Sequence, residues 1–150
     1  MIDDKKVVVG FGSFNGDDQA GWLVIDKLSQ QCVNDSTIFF KSKADGVDWF
    51  PVAEGATEVV FVDAVKSGAL PGTVHVIKSQ EECANKFSTS SHTINIFDSI
   101  ALAETLGYLK ASYLFFGLEI KDSNQANERV SEEVGSSIRN LVDKLKLKIR

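Results

Sequence analysis

The stretch that decides the fold is VVVGFGSFNGDDQAG, residues 7–21, in which an apolar run leads through glycines to an acidic pair. The β-branched run Val7–Phe11 has the composition of a buried strand that feeds a tight turn. Asp17 and Asp18 can accept hydrogen bonds from free N–H groups at a helix start, and their charge complements the positive helix end. The stretch therefore predicts a strand, a glycine-rich turn and a helix that runs to about Gln31.

Apolar runs further along the chain predict more strands and two more long helices. The strands are Thr37–Phe40, Glu58–Asp63, Thr73–Ile77 and Ser112–Gly117. One helix covers about residues 93–106 and ends at Gly107, while the last helix follows Ser131 as N-cap and repeats apolar residues at helical spacing. The polar composition of residues 79–91 indicates a long surface loop.

The alternation of strands and helices indicates an α/β fold with a mostly parallel sheet that is covered on both faces. Pro71 and Gly72 make a hairpin-like link, which suggests that one strand is antiparallel. In such sheets, functional groups gather beyond the carboxyl ends of the strands. Asp18 and Asp63 both come at or after the ends of predicted strands, so we expect them at that edge of the sheet.

The composition fits one compact domain over residues 1–150, with 43% hydrophobic and 25% charged residues. A net charge of -5 disfavours nucleic acid and anionic membranes as partners, because both are recognised by basic surfaces. Cys32 and Cys83 form no C-x-x-C pair and are expected to be ordinary reduced thiols. No signal peptide or membrane-spanning stretch is recognisable, so we expect a cytoplasmic protein.

Asp18, Asp63 and His92 form the candidate site. Two carboxylates and one imidazole suit a divalent metal such as nickel or zinc, and three protein ligands leave coordination positions open. Each residue also has a simpler interpretation, because Asp18 can cap a helix, Asp63 a loop, and His92 can be a capping or surface residue. His75, the other histidine, lies inside a predicted strand and is interpreted as a strand-face residue.

The glycine-rich turn at residues 10–21 also raises a nucleotide-binding interpretation. Its spacing is not G-x-G-x-x-G, and no Gly-Lys-Ser/Thr follows. Two carboxylates stand where a pyrophosphate needs bare N–H groups, and like charges repel. These features disfavour a nucleotide site.

The order of the motifs resembles that of the hydrogenase maturation endopeptidases, which trim the C-terminus of the large subunit of nickel-iron hydrogenases. The matching segments run from the first turn to the start of the last helix. They are Gly16–Gly21, Val62–Val65, Gly68–Thr73, Ser91 with His92, Ile100–Gly107, Gly117–Glu119 and Val130–Val134.

The resemblance implies a three-layer α/β/α sandwich of the phosphorylase/hydrolase type, and an endopeptidase whose partner is a hydrogenase large-subunit precursor. It implies that Asp18, Asp63 and His92 converge on nickel held in that precursor as catalytic and metal-binding groups, so that cleavage follows nickel insertion. By the same resemblance, we expect zinc or cadmium to substitute for nickel in vitro. No serine or cysteine nucleophile with a histidine base can be assembled, so we expect water activated by the metal or by an aspartate. We expect a monomer.

Two departures from the family pattern concern loops near the expected site. Members usually carry an Asp-Gly-Gly-Thr-like motif after the second strand, whereas this chain has Lys41–Gly46, and Ser13 replaces a frequent asparagine. The altered segment keeps a second hypothesis open, namely a non-catalytic metal- or partner-binding domain of the same fold. A nucleotide-binding α/β module is the third.

Overall fold

The computed structural model describes residues 4–13, 16–32, 36–43, 46–87, 91–121 and 129–149; the side chains of residues 91, 92 and 94 lie outside that description. Within these ranges the chain forms five strands, five α-helices and one 3₁₀ turn. The strands are β1 Lys6–Phe11, β2 Thr37–Ser42, β3 Glu58–Val65, β4 Val74–Ile77 and β5 Ser112–Glu119. The helices are α1 Ala20–Gln31, α2 Phe50–Ala53, α3 Gln80–Phe87, α4 Ser91–Leu106 and α5 Glu132–Lys148, and the 3₁₀ turn is Gly16–Gln19.

The strands form one sheet in the order β2-β1-β3-β5-β4. The pairs β1 with β2, β1 with β3 and β3 with β5 are parallel, whereas β4 is antiparallel to β5. The predicted α/β fold with a mostly parallel sheet and one antiparallel strand is therefore confirmed. The antiparallel strand does not form the hairpin that Pro71-Gly72 suggested, because β4 pairs with β5 and not with the preceding β3.

Two apolar cores cover the two faces of the sheet and create the three layers. Alternate residues of each strand point to opposite faces, so the β3 residues Phe61 and Val62 enter different cores. Helices α2, α3 and α4 pack over the Phe61 face, and helices α1 and α5 pack over the Val62 face. Strands β1 and β3 are apolar along nearly their whole length because both of their faces are covered.

Two glycines bring the start of α1 against the ends of β1 and β3. A Cβ atom added to Gly21 would lie 2.0 Å from the carbonyl oxygen of Phe11 and 2.7 Å from that of Val62. A Cβ atom added to Gly10 would lie 2.4 Å from the carbonyl oxygen of Gly21. The glycine-rich turn is thus required for close approach of backbone to backbone.

The predicted surface loop at residues 79–91 is wrong. Residues Gln80–Phe87 form α3, and α4 begins at Ser91. Cys83 and Phe87 are separated by one helical turn and are both buried under the sheet. Two apolar side chains on one face are enough to anchor this short helix, although its other positions are exposed and, apart from Ala84, polar.

The predicted helix end at Gly107 agrees with the structure, where α4 ends at Leu106 and Gly107 has a positive φ of 86°. The predicted helix from Asp17 to Gln31 is divided, because residues 16–19 form the 3₁₀ turn and α1 begins at Ala20. In the described part of the chain, no helix has both the length and the apolar character needed to cross a bilayer.

Candidate functional site

The candidate site lies at the carboxyl edge of the sheet, defined as the edge where β1, β3 and β5 end. Asp18 belongs to the 3₁₀ turn that follows β1, and this turn packs against β3. Its carbonyl oxygen accepts a hydrogen bond from the N–H group of Ser13 at 3.2 Å, which closes the turn. Because β1 and β3 are parallel neighbours, Asp18 and Asp63 are on segments that meet at this edge.

Asp63 is 2% exposed and lies inside β3, not at its end as predicted, because Ala64 and Val65 continue the strand and pair with β5. Its Oδ1 atom accepts the N–H group of Ala64 at 2.8 Å. A buried carboxylate is costly unless it is hydrogen-bonded or bound to a cation. Asp63 alternates with Phe61 and Val65, which places it on the face that α4 covers.

His92 is the second residue of α4, and its side chain lies outside the described residues. Its backbone position follows from the topology. Helix α4 leads into β5, which is parallel to β3, so the helix runs back from the carboxyl edge to the opposite edge. The start of α4 is therefore at the same edge as Asp18 and Asp63.

The structure does not test whether these three side chains share a metal ion. Among the side chains that it describes, no group of three histidine, cysteine or acidic residues could hold a metal. The imidazole of His92 is not among those side chains. The set of Asp18, Asp63 and His92 therefore stays a prediction, with its chemistry suited to nickel.

Asp17 has a role that the sequence did not indicate. It is 2% exposed, and its carboxylate accepts hydrogen bonds from the N–H groups of Lys121 at 2.8 Å and Ser131 at 2.7 Å. The hydroxyl group of Ser131 donates a third bond at 3.0 Å. Ser131 occupies the predicted N-cap position of α5, but its side chain makes no cap bond to that helix. Asp17 thus holds the start of α5 beside the turn that carries Asp18.

A second polar network, also missed at the sequence level, surrounds Glu119 at the end of β5. Glu119 is 1% exposed, and its carboxylate accepts hydrogen bonds from the N–H group of Ser67 at 2.8 Å and from its hydroxyl group at 2.6 Å. The Nε2 atom of His75 lies 3.0 Å from Oε1 of Glu119. His75 is indeed on a strand face, as predicted, but it is buried there. The sequence feature that could have pointed to Glu119 is a carboxylate at the end of an apolar run, the same feature that singled out Asp63.

The segment Lys41–Gly46, which departs from the family motif, is held by polar contacts where it is described. The carboxylate of Asp48 accepts bonds from the hydroxyl group of Ser42 and from the N–H group of Lys43. The indole N–H of Trp22 donates to the carbonyl oxygen of Ser42 at 2.9 Å. Residues 44 and 45 lie outside the described ranges.

Comparisons with known proteins gave one family match and several structural matches. The family model described as HycI, hydrogenase maturation protease, matches residues 24–146, which include Asp63 and His92 but not Asp18. The structure is similar to that of the hydrogenase maturation protease HybD from Thermococcus kodakarensis, with a TM-score of 0.81 and 20% identity over 97% of this chain and 99% of that one.

Two further solved structures have the same fold. HybD from E. coli has a TM-score of 0.79 and 17% identity over 94% of this chain and 89% of that chain. HycI from Thermococcus kodakarensis has a TM-score of 0.79 and 18% identity over 95% of this chain and 90% of that chain. No curated protein matches the chain. Because the family model covers well over half of the sequence, the chain belongs to the hydrogenase maturation protease family.

Proposed function

We propose that this chain is an endopeptidase that removes the C-terminal extension from the large-subunit precursor of a nickel-iron hydrogenase after nickel has been inserted. The observation that carries the proposal is Asp63, a carboxylate that is 2% exposed at the carboxyl edge in a chain of this protease family. Burying a charge at that position costs stability, and binding a cation would offset the cost.

In this proposal the nickel ion belongs to the substrate. Asp18 and Asp63 supply oxygen ligands and His92 supplies a nitrogen ligand, a set that suits nickel and also accepts zinc or cadmium. Three ligands leave coordination positions for the groups that hold the ion in the precursor. A precursor without nickel lacks this link, so the enzyme distinguishes mature from immature metal centres.

A water molecule is the nucleophile in the proposed reaction. It adds to the carbonyl carbon of the scissile peptide bond, the bond between carbon and nitrogen breaks, and a proton from the water passes to the leaving amine. Asp18 or Asp63 is the candidate base for that proton, because an ionised carboxylate within hydrogen-bond reach can accept and return it. The proposal also includes a monomeric enzyme that acts in the cytoplasm.

The test is cleavage of a purified nickel-loaded precursor by the purified chain. We expect cleavage by the natural chain, and a loss of about 100-fold or more for Asp18→Asn, Asp63→Asn and His92→Ala. Asp143→Asn is the control, because it removes one exposed carboxylate on α5 far along the helix from the site. Circular dichroism verifies that each variant is folded. Normal cleavage by folded His92→Ala would refute the ligand set.

The altered segment Lys41–Gly46 favours one other function, a domain that binds the metal or a partner without cleaving it. The same experiment separates the two. A chain that binds the nickel-loaded precursor in a pull-down but leaves its length unchanged on a denaturing gel would be a binding protein. Shortening of the precursor excludes that alternative.

A further inference from the structure

A groove opens between the start of α1 and the start of α5. It has a volume of about 760 Å³ and is lined by Gln19 and Leu23 on one side and by residues from the segment 129–139 on the other. We call it the α1/α5 groove. Leu23 and Val130 give it apolar surface, while the rest of the lining is mostly polar or charged. Such a mixed lining suits a peptide better than a purely apolar ligand.

The groove carries two guanidinium groups that have no partner among the described residues. Neither Arg129 nor Arg139 forms an ion pair or hydrogen bond within the part of the chain that the structure describes. The guanidinium of Arg139 lies back over Gly135, with its Nη1 atom 3.7 Å from where a Cβ atom would be. Glu132 is the acidic residue in the described lining, so the arginines outnumber it.

The two arginines place positive charge in a groove of a chain that is acidic as a whole. Its net charge is -5, and Lys41, Lys121 and Lys148 each have an acidic partner within 3.6 Å. Guanidinium groups bind carboxylates through paired N–H donors, which makes arginine well suited to recognise an acidic peptide. The two arginines therefore provide a local positive surface on an otherwise acidic protein.

The groove begins beside the candidate site. Gln19 follows Asp18 directly and donates from its side chain to the carbonyl oxygen of Gly16 at 3.0 Å. Ser131, another lining residue, donates both of its N–H and O–H groups to Asp17. A peptide that occupies the groove thus lies beside Gln19, the residue that follows Asp18 in the same turn.

We propose that the α1/α5 groove binds an acidic segment of the polypeptide substrate and that Arg129 and Arg139 bind its side-chain carboxylates. The inference rests on the proposed function, because it names the feature of the substrate that is recognised beyond the metal. Arg129 and Arg139 are specificity residues in this account and take no part in the chemical step.

The first test is direct binding of a fluorescein-labelled peptide by fluorescence anisotropy. The peptide corresponds to the precursor's C-terminal region in two versions, one with glutamates and one with glutamines at the same positions. We expect the natural chain to bind the glutamate version about tenfold more tightly, and Arg129→Gln/Arg139→Gln to bind the two versions equally. Added salt reduces the difference, because these charges are exposed.

The control is Lys78→Gln/Lys110→Gln, which removes two exposed positive charges at the opposite edge of the sheet. It should keep the preference for glutamate. If the lysine and arginine variants lose the preference for the glutamate peptide equally, the preference depends only on net charge, and the inference is overturned. Unchanged preference in the folded arginine variant would overturn it as well.

The second test uses the precursor and separates the inference from the proposed function. We expect the arginine variant to raise KM about tenfold and to leave kcat nearly unchanged, since binding is lost and the chemical groups remain. An unchanged KM would overturn the role given to the α1/α5 groove, but it would not affect the proposed protease function. If the natural chain fails to cleave the loaded precursor, the proposed function fails, and the peptide measurement still decides what the groove binds.

Discussion

The Nε2 atom of His75 lies 3.0 Å from Oε1 of Glu119, and both residues are buried. Glu119 also binds Ser67, which is in the loop between β3 and β4. The backbone groups of Glu119 contact the same loop, because its carbonyl oxygen accepts the N–H of Gly72 and its N–H donates to the carbonyl oxygen of Thr73. The end of β5 therefore organises the loop that follows Asp63.

Replacing Glu119 with Ala should lower the free energy of unfolding by about 3–5 kcal/mol, because it leaves His75 and the donors of Ser67 buried without their acceptor. Urea unfolding followed by circular dichroism measures the change. Glu133→Ala is the matched control, since it removes an exposed carboxylate 3.6 Å from Lys121 and should cost less than about 1 kcal/mol. Equal losses in the two variants would contradict the role given to Glu119.

Asp17→Ala should lower the free energy of unfolding by about 3 kcal/mol or more, because it removes the acceptor of three hydrogen bonds from Lys121 and Ser131. Asp17→Asn keeps one carbonyl oxygen as an acceptor, so it should lower the free energy of unfolding by less than Asp17→Ala does. Thermal unfolding of both variants beside Asp143→Ala, an exposed residue of α5, provides the comparison. A loss in Asp17→Ala no larger than in Asp143→Ala would show that the start of α5 does not depend on this carboxylate.

Two glycine substitutions should change stability in opposite directions. Gly21→Ala places a methyl group 2.0 Å from the carbonyl oxygen of Phe11 and should destabilise the chain by about 3 kcal/mol. Gly135→Ala adds a methyl group with no described atom closer than 3.7 Å, and it should stabilise α5 by about 1 kcal/mol. Chemical denaturation of the two variants tests the pair. Stabilisation by Gly21→Ala would mean that α1 and β1 are further apart than described.

The two free cysteines should react with thiol reagents at very different rates. Burial and, to a smaller extent, the nearby charge of Asp98 together raise the pKa of the Cys83 thiol to about 11. Cys83 is 3% exposed, whereas Cys32 is partly exposed. Because the thiolate is the reactive form, we expect one rapid labelling event at pH 8 in the native protein and two after denaturation. Cys32→Ser should abolish the rapid event, and its persistence would contradict the assignment.

The raised pKa of Cys83 also predicts weaker stability in alkali. The unfolded thiol releases its proton near the usual pKa of 9.0, while the folded thiol keeps it up to a pKa of about 11, so unfolding releases protons in this range. The stability that depends on the Cys83 thiol is therefore fully present below pH 9 and falls as the pH rises toward 11. Cys83→Ala should show a smaller decrease over that interval in urea unfolding. An equal slope in both proteins would rule out this source of pH dependence.

The strand pattern was readable from the sequence because both faces of the central strands are covered. Val7–Phe11 and Glu58–Val65 are apolar runs of a length that suits a strand and no long helix. Helix α3 was not readable, because only Cys83 and Phe87 mark its buried face and every other position except Ala84 is polar. The partner of β4 was also beyond local patterns, since pairing with β5 depends on the path of the chain through α3 and α4.

Site residues were predictable as residue types at strand ends, but their partners were not. Asp63 stood out because a carboxylate interrupts an apolar run, and Glu119 shows the same signal. The sequence could not show that Asp17 binds residues 104 and 114 positions away, since such bonds exist only after α5 has docked. The α1/α5 groove could not be predicted either, because its two sides come from segments that lie far apart in the chain.

The position of β4 at the rim of the sheet imposes an order on the growing polypeptide. Within the described sheet, Val74–Ile77 has β5 as its neighbour, and β5 is made only after α3 and α4 have been synthesised. A nascent chain that stops before Ser112 leaves β3 without its partner on that side and the loop after Asp63 without Glu119. The carboxyl edge that carries Asp18 and Asp63 can therefore be completed only late in translation, after β5 and α5 have been made.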